Sequence, residues 1–155
     1  MTKDKNLKNI VTSIRSNFND ESVFIDKVNN TIINIKDIYI DFILNRVQYK
    51  AIYDWQEEDI KLVKEIIIDC RDKYIKLPKL EELFHLYSVM DEFIQERLSE
   101  EEKEDILNII GGANRYKRFI ESIQGTDLEV LFEIFIHDKI EYEIKNWLKE
   151  KEINY

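Results

Sequence analysis

Val23-Phe24-Ile25-Asp26-Lys27-Val28-Asn29-Asn30-Thr31-Ile32-Ile33-Asn34-Ile35 is the stretch that decides the fold class. Two β-branched runs flank Asn29-Asn30, and asparagine tolerates the positive φ that a type I′ turn demands, so a β-hairpin is expected over residues 22–35. A lone hairpin is marginal in water and has to lay its apolar face on other elements. Those elements read as helices. Upstream, Leu7, Ile10, Val11 and Ile14 recur at helical spacing and predict a helix over residues 5–17. Downstream, residues 36–53 carry two patterns. Ile40, Ile43, Leu44 and Val47 fit a helix, expected through about residue 48, whereas Val47, Tyr49, Ala51 and Tyr53 alternate as a strand would. Asp54 is placed to cap a following helix with an apolar stripe of Trp55, Ile60, Val63, Ile66 and Ile67, and Leu77-Pro78 breaks the chain.

Beyond the proline, Leu83, Leu86, Tyr87, Met90, Phe93, Ile94 and Leu98 mark an amphipathic helix. Ser99-Glu100-Glu101-Glu102 is a capping box that opens another, reaching about Ile110, where Gly111-Gly112 stops it. Asn114 is the expected N-cap of a helix carrying Tyr116, Phe119, Ile120 and Ile123, and Gly125-Thr126-Asp127 separates that helix from the C-terminal stretch. From Leu128 to about Lys151 the pattern allows one helix or two joined near His137-Asp138. Three glycines and one proline in 155 residues leave few loop breakers, which favours short connections between helices. The expected fold class is α+β: a predominantly helical single domain over residues 1–155 with one β-hairpin near the N-terminus.

The formal charge is -9, and all of the excess lies in one half. Residues 1–78 carry 13 basic and 13 acidic side chains, against 10 and 19 in residues 79–155. A basic footprint for duplex nucleic acid is therefore missing, while an acidic face suits a basic partner. Cys70, the single cysteine, closes the apolar run Ile66-Ile67-Ile68-Asp69 and reads as a buried, inert thiol. The first residues carry no apolar signal-peptide core, and a cytoplasmic location without membrane contact is expected. The abundance of isoleucine, lysine and asparagine points to an AT-rich bacterial genome.

Read in order, several short elements resemble those of an uncharacterised bacterial family, number one hundred and fifty-eight of the UPF series. The stretch from Phe24 to Ile35 resembles its Tyr-Leu-Asp-x-x-Thr-Gly-x-Val-Val hairpin, with Asn29-Asn30 in place of Thr-Gly. Tyr74-Ile75-Lys76-Leu77-Pro78 and Met90-Asp91-Glu92-Phe93-Ile94 resemble Tyr-Ile-x-Leu-Pro and Met-Glu-Asp-Phe-Ile. Tyr116-Lys117-Arg118-Phe119 resembles the end of Gly-[Arg/Lys]-Gly-Ala-Phe-Arg-Arg-Phe-Lys-Asp, with Glu121 for the final Asp and with Asn114 and Arg115 departing from the second Gly and the Ala. Phe135 through Trp147-Leu148 and Ile153 resembles Phe-x-Asp-(x)9-Trp-Leu-Glu-Glu-x-Gly-Ile, His137 taking the Asp position. The resemblance implies neither an activity nor a cofactor.

The candidate sites are few. Arg115, Lys117 and Arg118 open a helix after two glycines; the first reading is a structural salt-bridge network with Glu100 to Glu104 or the C-terminal acidic helix, and the competing one is a site for an anion or a partner's carboxylate. Tyr49, Tyr53 and Trp55 lie close in sequence; core packing is their first reading, with an interface as the competing use. Glu82-Leu83-Phe84-His85 has the Glu-x-x-His spacing of di-iron helices but no second copy, and Glu133-His137-Glu141 reads as a salt-bridge row. Gly-x-Ser-x-Gly, His-Glu-x-x-His and Gly-x-x-x-x-Gly-Lys-Ser are all missing. The expectation is a non-catalytic, acidic, regulatory or protein-interaction domain with no cofactor and no metal. Nucleic-acid or anion binding through Arg115, Lys117 and Arg118 is the alternative, and a metal-dependent or hydrolytic enzyme the second.

Overall fold

The structure is a computed structural model that describes residues 2–17, 20–69 and 72–155; Cys70 lies outside them. The fold class is α+β, predominantly helical, with the hairpin near the N-terminus. The chain divides into two compact units, residues 1–79 with 145–155, and residues 80–144.

The first unit is built on an antiparallel sheet. β1 (Thr2–Asp4), β2 (Glu21–Asp26), β3 (Thr31–Lys36) and β4 (Tyr74–Lys76) lie in the order β1-β3-β2-β4. The expected hairpin is thus β2-β3, paired from Glu21 with Lys36 to Asp26 with Thr31, and each of its edges gains a short strand. Neither edge strand was foreseen, because three residues are too few to show an alternation. The turn also differs from the expectation. Residues 27–30 form a four-residue connection in which only Asn30, at φ 54°, is left-handed. The reason is Asp26, whose Oδ1 accepts from the backbone N–H of Val28 and of Asn29, both at 2.9 Å, while Oδ2 accepts from Asn29 Nδ2 at 2.8 Å. This side-chain turn replaces the tight two-residue one.

The side chains of the central strand alternate between two buried faces. Phe24, Ile33, Ile35 and Tyr74 face α2 (Asp37–Ile43) and α3 (Asp54–Lys64), joining Tyr39, Val63 and Ile66 in one core. Val23, Ile25 and Ile32 are buried on the other face. The N-terminal helix is α1 (Leu7–Arg15), with Asn6 accepting from Asn9 N–H as its cap. Helix α2 ends earlier than the expected residue 48, at a left-handed Asn45 (φ 57°), so the segment as far as Tyr53 is irregular. Asp54 is the first residue of α3 and Tyr53 flanks it, one place from the expected cap. Helix α3 continues into a π-helical turn, Glu65–Asp69.

That turn supplies Glu65 to a polar cluster at the mouth of the sheet. Lys73 lies 3.4 Å from both Asp26 Oδ2 and Glu65 Oε1 and 4.9 Å from the centre of the Tyr74 ring, whose hydroxyl donates to Glu65 Oε1 at 2.8 Å. The hydrogen bond with Tyr74 and the neighbouring carboxylates hold the Lys73 ammonium above its usual range, and burial pushes the Tyr74 hydroxyl up. Burial alone would raise the Asp26 carboxyl, but the bonds from Asn29 and Val28 and the Lys73 charge outweigh it and hold the group below its ordinary value of 3.8.

The second unit is helical: α4 (Leu80–Leu83), α5 (Leu86–Arg97), α6 (Glu100–Ile110), α7 (Arg115–Ile123) and residues 127–144 of α8 (Asp127–Glu150), which is one continuous helix. Ser99 and Glu102 form the predicted capping box, Ser99 Oγ accepting from Glu102 N–H at 3.2 Å and Glu102 Oε2 from Ser99 N–H at 2.8 Å. Phe93 is the hub of the core. Its ring centre lies 6.1, 5.1 and 5.5 Å from those of Phe119, Phe132 and Phe135, with tilted or edge-on geometry throughout.

Two stability predictions follow from these cores. Asp26→Ala leaves backbone donors and Lys73 without their acceptor and is expected to cost about 3 kcal/mol in urea unfolding. Because the folded state depresses the Asp26 pKa, its contribution is complete above the unfolded-state value and fades as pH falls through the folded one; the gap between wild type and Asp26→Asn should therefore narrow below about pH 4. Phe93→Ala, which empties the centre of the second unit, is expected to cost about 3–5 kcal/mol.

Candidate functional site

The glycine stop and the cations after it form a self-contained corner. Helix α6 ends at Gly111, Gly112 turns the chain at φ 84°, where a Cβ would strain the backbone, and Asn114 is left-handed at φ 59°. Asn114 sits at the predicted N-cap position, yet its side chain makes no capping bond. Arg115 reaches α5, with Nη2 3.0 Å from Asp91 Oδ1. Arg118 Nη1 donates back to the Gly111 carbonyl, so its charge meets the negative end of α6 and satisfies one of that helix's orphan acceptors. Lys117 is 3.8 Å from Glu121, one turn along. Phe119 is fully buried and the Tyr116 ring tilts against Tyr87 at 5.7 Å. Each cation that opens α7 against the helix dipole is therefore met by an acceptor of the same unit. Arg115→Gln should change unfolding free energy by less than about 1 kcal/mol, as for other exposed ion pairs, and a double-mutant cycle with Asp91→Asn measures it.

The three aromatics separate. Tyr49 turns inward, its ring 5.3 Å from that of Tyr39 and its hydroxyl accepting from Gln56 Nε2 at 2.8 Å. Burial and the bond with Tyr49 push the Tyr39 hydroxyl up to about 12. Gln56 Oε1 also accepts from the N–H groups of Ile52 and Tyr53, fastening the irregular segment to α3. Tyr53 and Trp55 stack on each other, ring centres 6.1 Å apart, and are 59% and 50% exposed. Of the two readings of Trp55, the apolar stripe with Val63 does not hold, because the N-terminal turn of α3 leaves the ring half in solvent.

Neither metal pattern assembles. Helix α4 ends at Leu83 and His85 flanks the start of α5, so Glu82 and His85 do not share a helix as their spacing suggested. His137 Nε2 lies 3.9 Å from Glu141 Oε2 along α8, the expected salt-bridge row. Among the described residues, no three His, Cys, Asp or Glu side chains are grouped to hold a metal ion.

The most conspicuous surface was not foreseen. Phe132, Phe135, Ile136, Ile140 and Ile144 bury one face of α8, yet Val130, Leu131 and Ile134 remain 60%, 47% and 52% exposed. Arg97, Leu131, Ile134, Phe135 and Asp138 line a depression of about 180 Å³. The Arg97 guanidinium lies 5.4 Å from the centre of the Phe135 ring. On a helix of 3.6 residues per turn, Asp127, Val130, Leu131, Ile134, Asp138 and Glu141 fall on one side, an apolar centre with carboxylates at both ends. The signal was present in Leu128 to Ile136, where only Glu129 and Glu133 are polar: one helix face cannot bury that many apolar side chains.

The model of the Uncharacterised protein family (UPF0158) matches residues 20–155. The chain belongs to that family. Neither the curated proteins nor the solved structures contain a match. Two motif residues by which the chain resembles the UPF0158 family, Asp26 of the hairpin and Tyr74 of Tyr-Ile-x-Leu-Pro, meet at the same lysine, Lys73. The Tyr-Lys-Arg-Phe motif likewise divides its work: Arg118 closes the preceding helix while Phe119 anchors its own. No helix among the described residues is long and apolar enough to cross a membrane.

Proposed function

We propose that this member of the UPF0158 family is a non-catalytic, cytoplasmic protein-interaction module, and that its partner docks on the solvent side of α8. The observation that carries the reading is the apolar stripe Val130, Leu131 and Ile134, left exposed beside a shaped depression. Contiguous exposed apolar surface with a polar rim is characteristic of binding sites, whereas isolated exposed apolar residues are ordinary. The setting is acidic: residues 80–144 hold 17 carboxylates and six Lys or Arg, a net charge of -11, which accounts for more than the whole excess of the chain.

Anion or nucleic-acid binding through Arg115, Lys117 and Arg118 finds less support. Two of the three are engaged at hydrogen-bonding distance by their own unit, and the surrounding carboxylates oppose a polyanion.

The test is a paired substitution, Leu131→Asp with Ile134→Asp. Both side chains are about half exposed, so unfolding free energy should fall by no more than about 1 kcal/mol. Affinity capture from native lysate is expected to retain a stoichiometric protein with the wild-type chain and to lose it with the variant. A partner held equally by both sinks the reading.

A further inference from the structure

We infer that the occupant of the α8 surface is an amphipathic helix rich in lysine or arginine, contributed by a different protein. This inference rests on the interaction reading above and adds the chemistry of the partner.

Three features lead to it. First, the apolar contacts stand at positions 130, 131 and 134, with the depression continuing to Phe135 and Asp138. That is the ridge-and-groove spacing by which one helix receives the i, i+4 side chains of another. Second, carboxylates bracket the stripe along its own axis, Asp127 one turn before it and Asp138 and Glu141 one and two turns after. A docked helix with apolar residues at its centre and cations toward its ends would match each part of this surface. Two cations stand near the depression, the Arg97 guanidinium 5.4 Å and the Lys139 ammonium 5.6 Å from the centre of the Phe135 ring, and Lys139 is paired with Glu92. Third, the charge selects the partner. A second copy of this chain would bring its own unit of net charge -11 against the first, and like charges brought together across an interface oppose association. The phosphates of nucleic acid and of anionic lipid are opposed by the same field. A basic helix instead gains from steering on approach and from apolar burial once docked.

The measurement is a selection of random-sequence phage-displayed peptides on the full chain, with counter-selection on the Leu131→Asp, Ile134→Asp variant. The expected consensus has apolar residues at i, i+3 or i+4, and i+7, interspersed with lysine or arginine. A synthetic consensus peptide should bind the wild type saturably in fluorescence anisotropy, weaken as salt is raised to physiological strength, and bind the variant at least tenfold less tightly. Asp127→Asn with Asp138→Asn, which keeps the apolar stripe, should reduce both the affinity and its salt dependence. Circular dichroism of each variant establishes that the helices are intact. An acidic or proline-rich consensus, no enrichment, or equal binding to the aspartate variant would falsify the inference. Concentration-dependent dimerisation abolished by the same pair of substitutions would overturn it in favour of a second copy. If a lysate partner is lost by the variant while no basic consensus emerges, only the inference falls and the interaction reading survives.

Discussion

The architecture of the first unit hangs on one buried carboxylate. Asp26 ends β2, and from there its two oxygens gather the backbone of the turn, the side chain of Asn29 and the ammonium of Lys73. A carboxylate taken out of water needs all of these partners to offset its lost hydration. Meeting that need fixes how β3 leaves the turn, and it draws in the residue that precedes β4. The backbone completes the arrangement, Lys27 N–H donating to the Lys73 carbonyl at 2.9 Å and Leu77 N–H to that of Val23 at 2.8 Å. A strand of only three residues is held in the sheet by a charge as well as by its ladder bonds.

The second unit follows a different logic. Its rings pack edge-to-face around Phe93, and cations meet them only at Phe135, on the outer side of the cluster. The polar devices sit at the helix ends instead: the Ser99 and Glu102 box, Arg118 on Gly111, and Glu129 Oε2 accepting from Gly125 N–H at 2.7 Å. Negative charge in this unit is far in excess of what helix starts require, and α8 has more apolar side chains than the core takes up.

Long-period features were legible in the sequence. The hairpin strands, the capping box, the glycine stop and most helices announce themselves through repeated spacing or a residue type with one conformational use. What escaped is what depends on a distant partner. The type I′ turn was inferred from Asn29-Asn30, but an aspartate three residues earlier captured the loop. β4 exists because Asp26 and β2 hold it. Trp55 looked like a core residue because helical phase places it above Val63 by two turns, yet the sheet covers only the later part of that helix. The basic cluster drew attention as a row of like charges, and the answer lay in an Asp on α5 and a backbone carbonyl, neither readable from local sequence. The exposed stripe of α8 is hidden in the sequence for the opposite reason, since its apolar residues have the same spacing as core ones.

The π-helical turn at Glu65–Asp69 has a further consequence. Bonding to the fifth residue rather than the fourth accommodates one residue beyond the regular count, so the helix beyond Lys64 is out of phase with the helix before it. Val63 and Ile66 on either side of that boundary stay in the core, while Glu65, the first residue of the turn, reaches Lys73 and Tyr74. Such a turn works as a length adjuster.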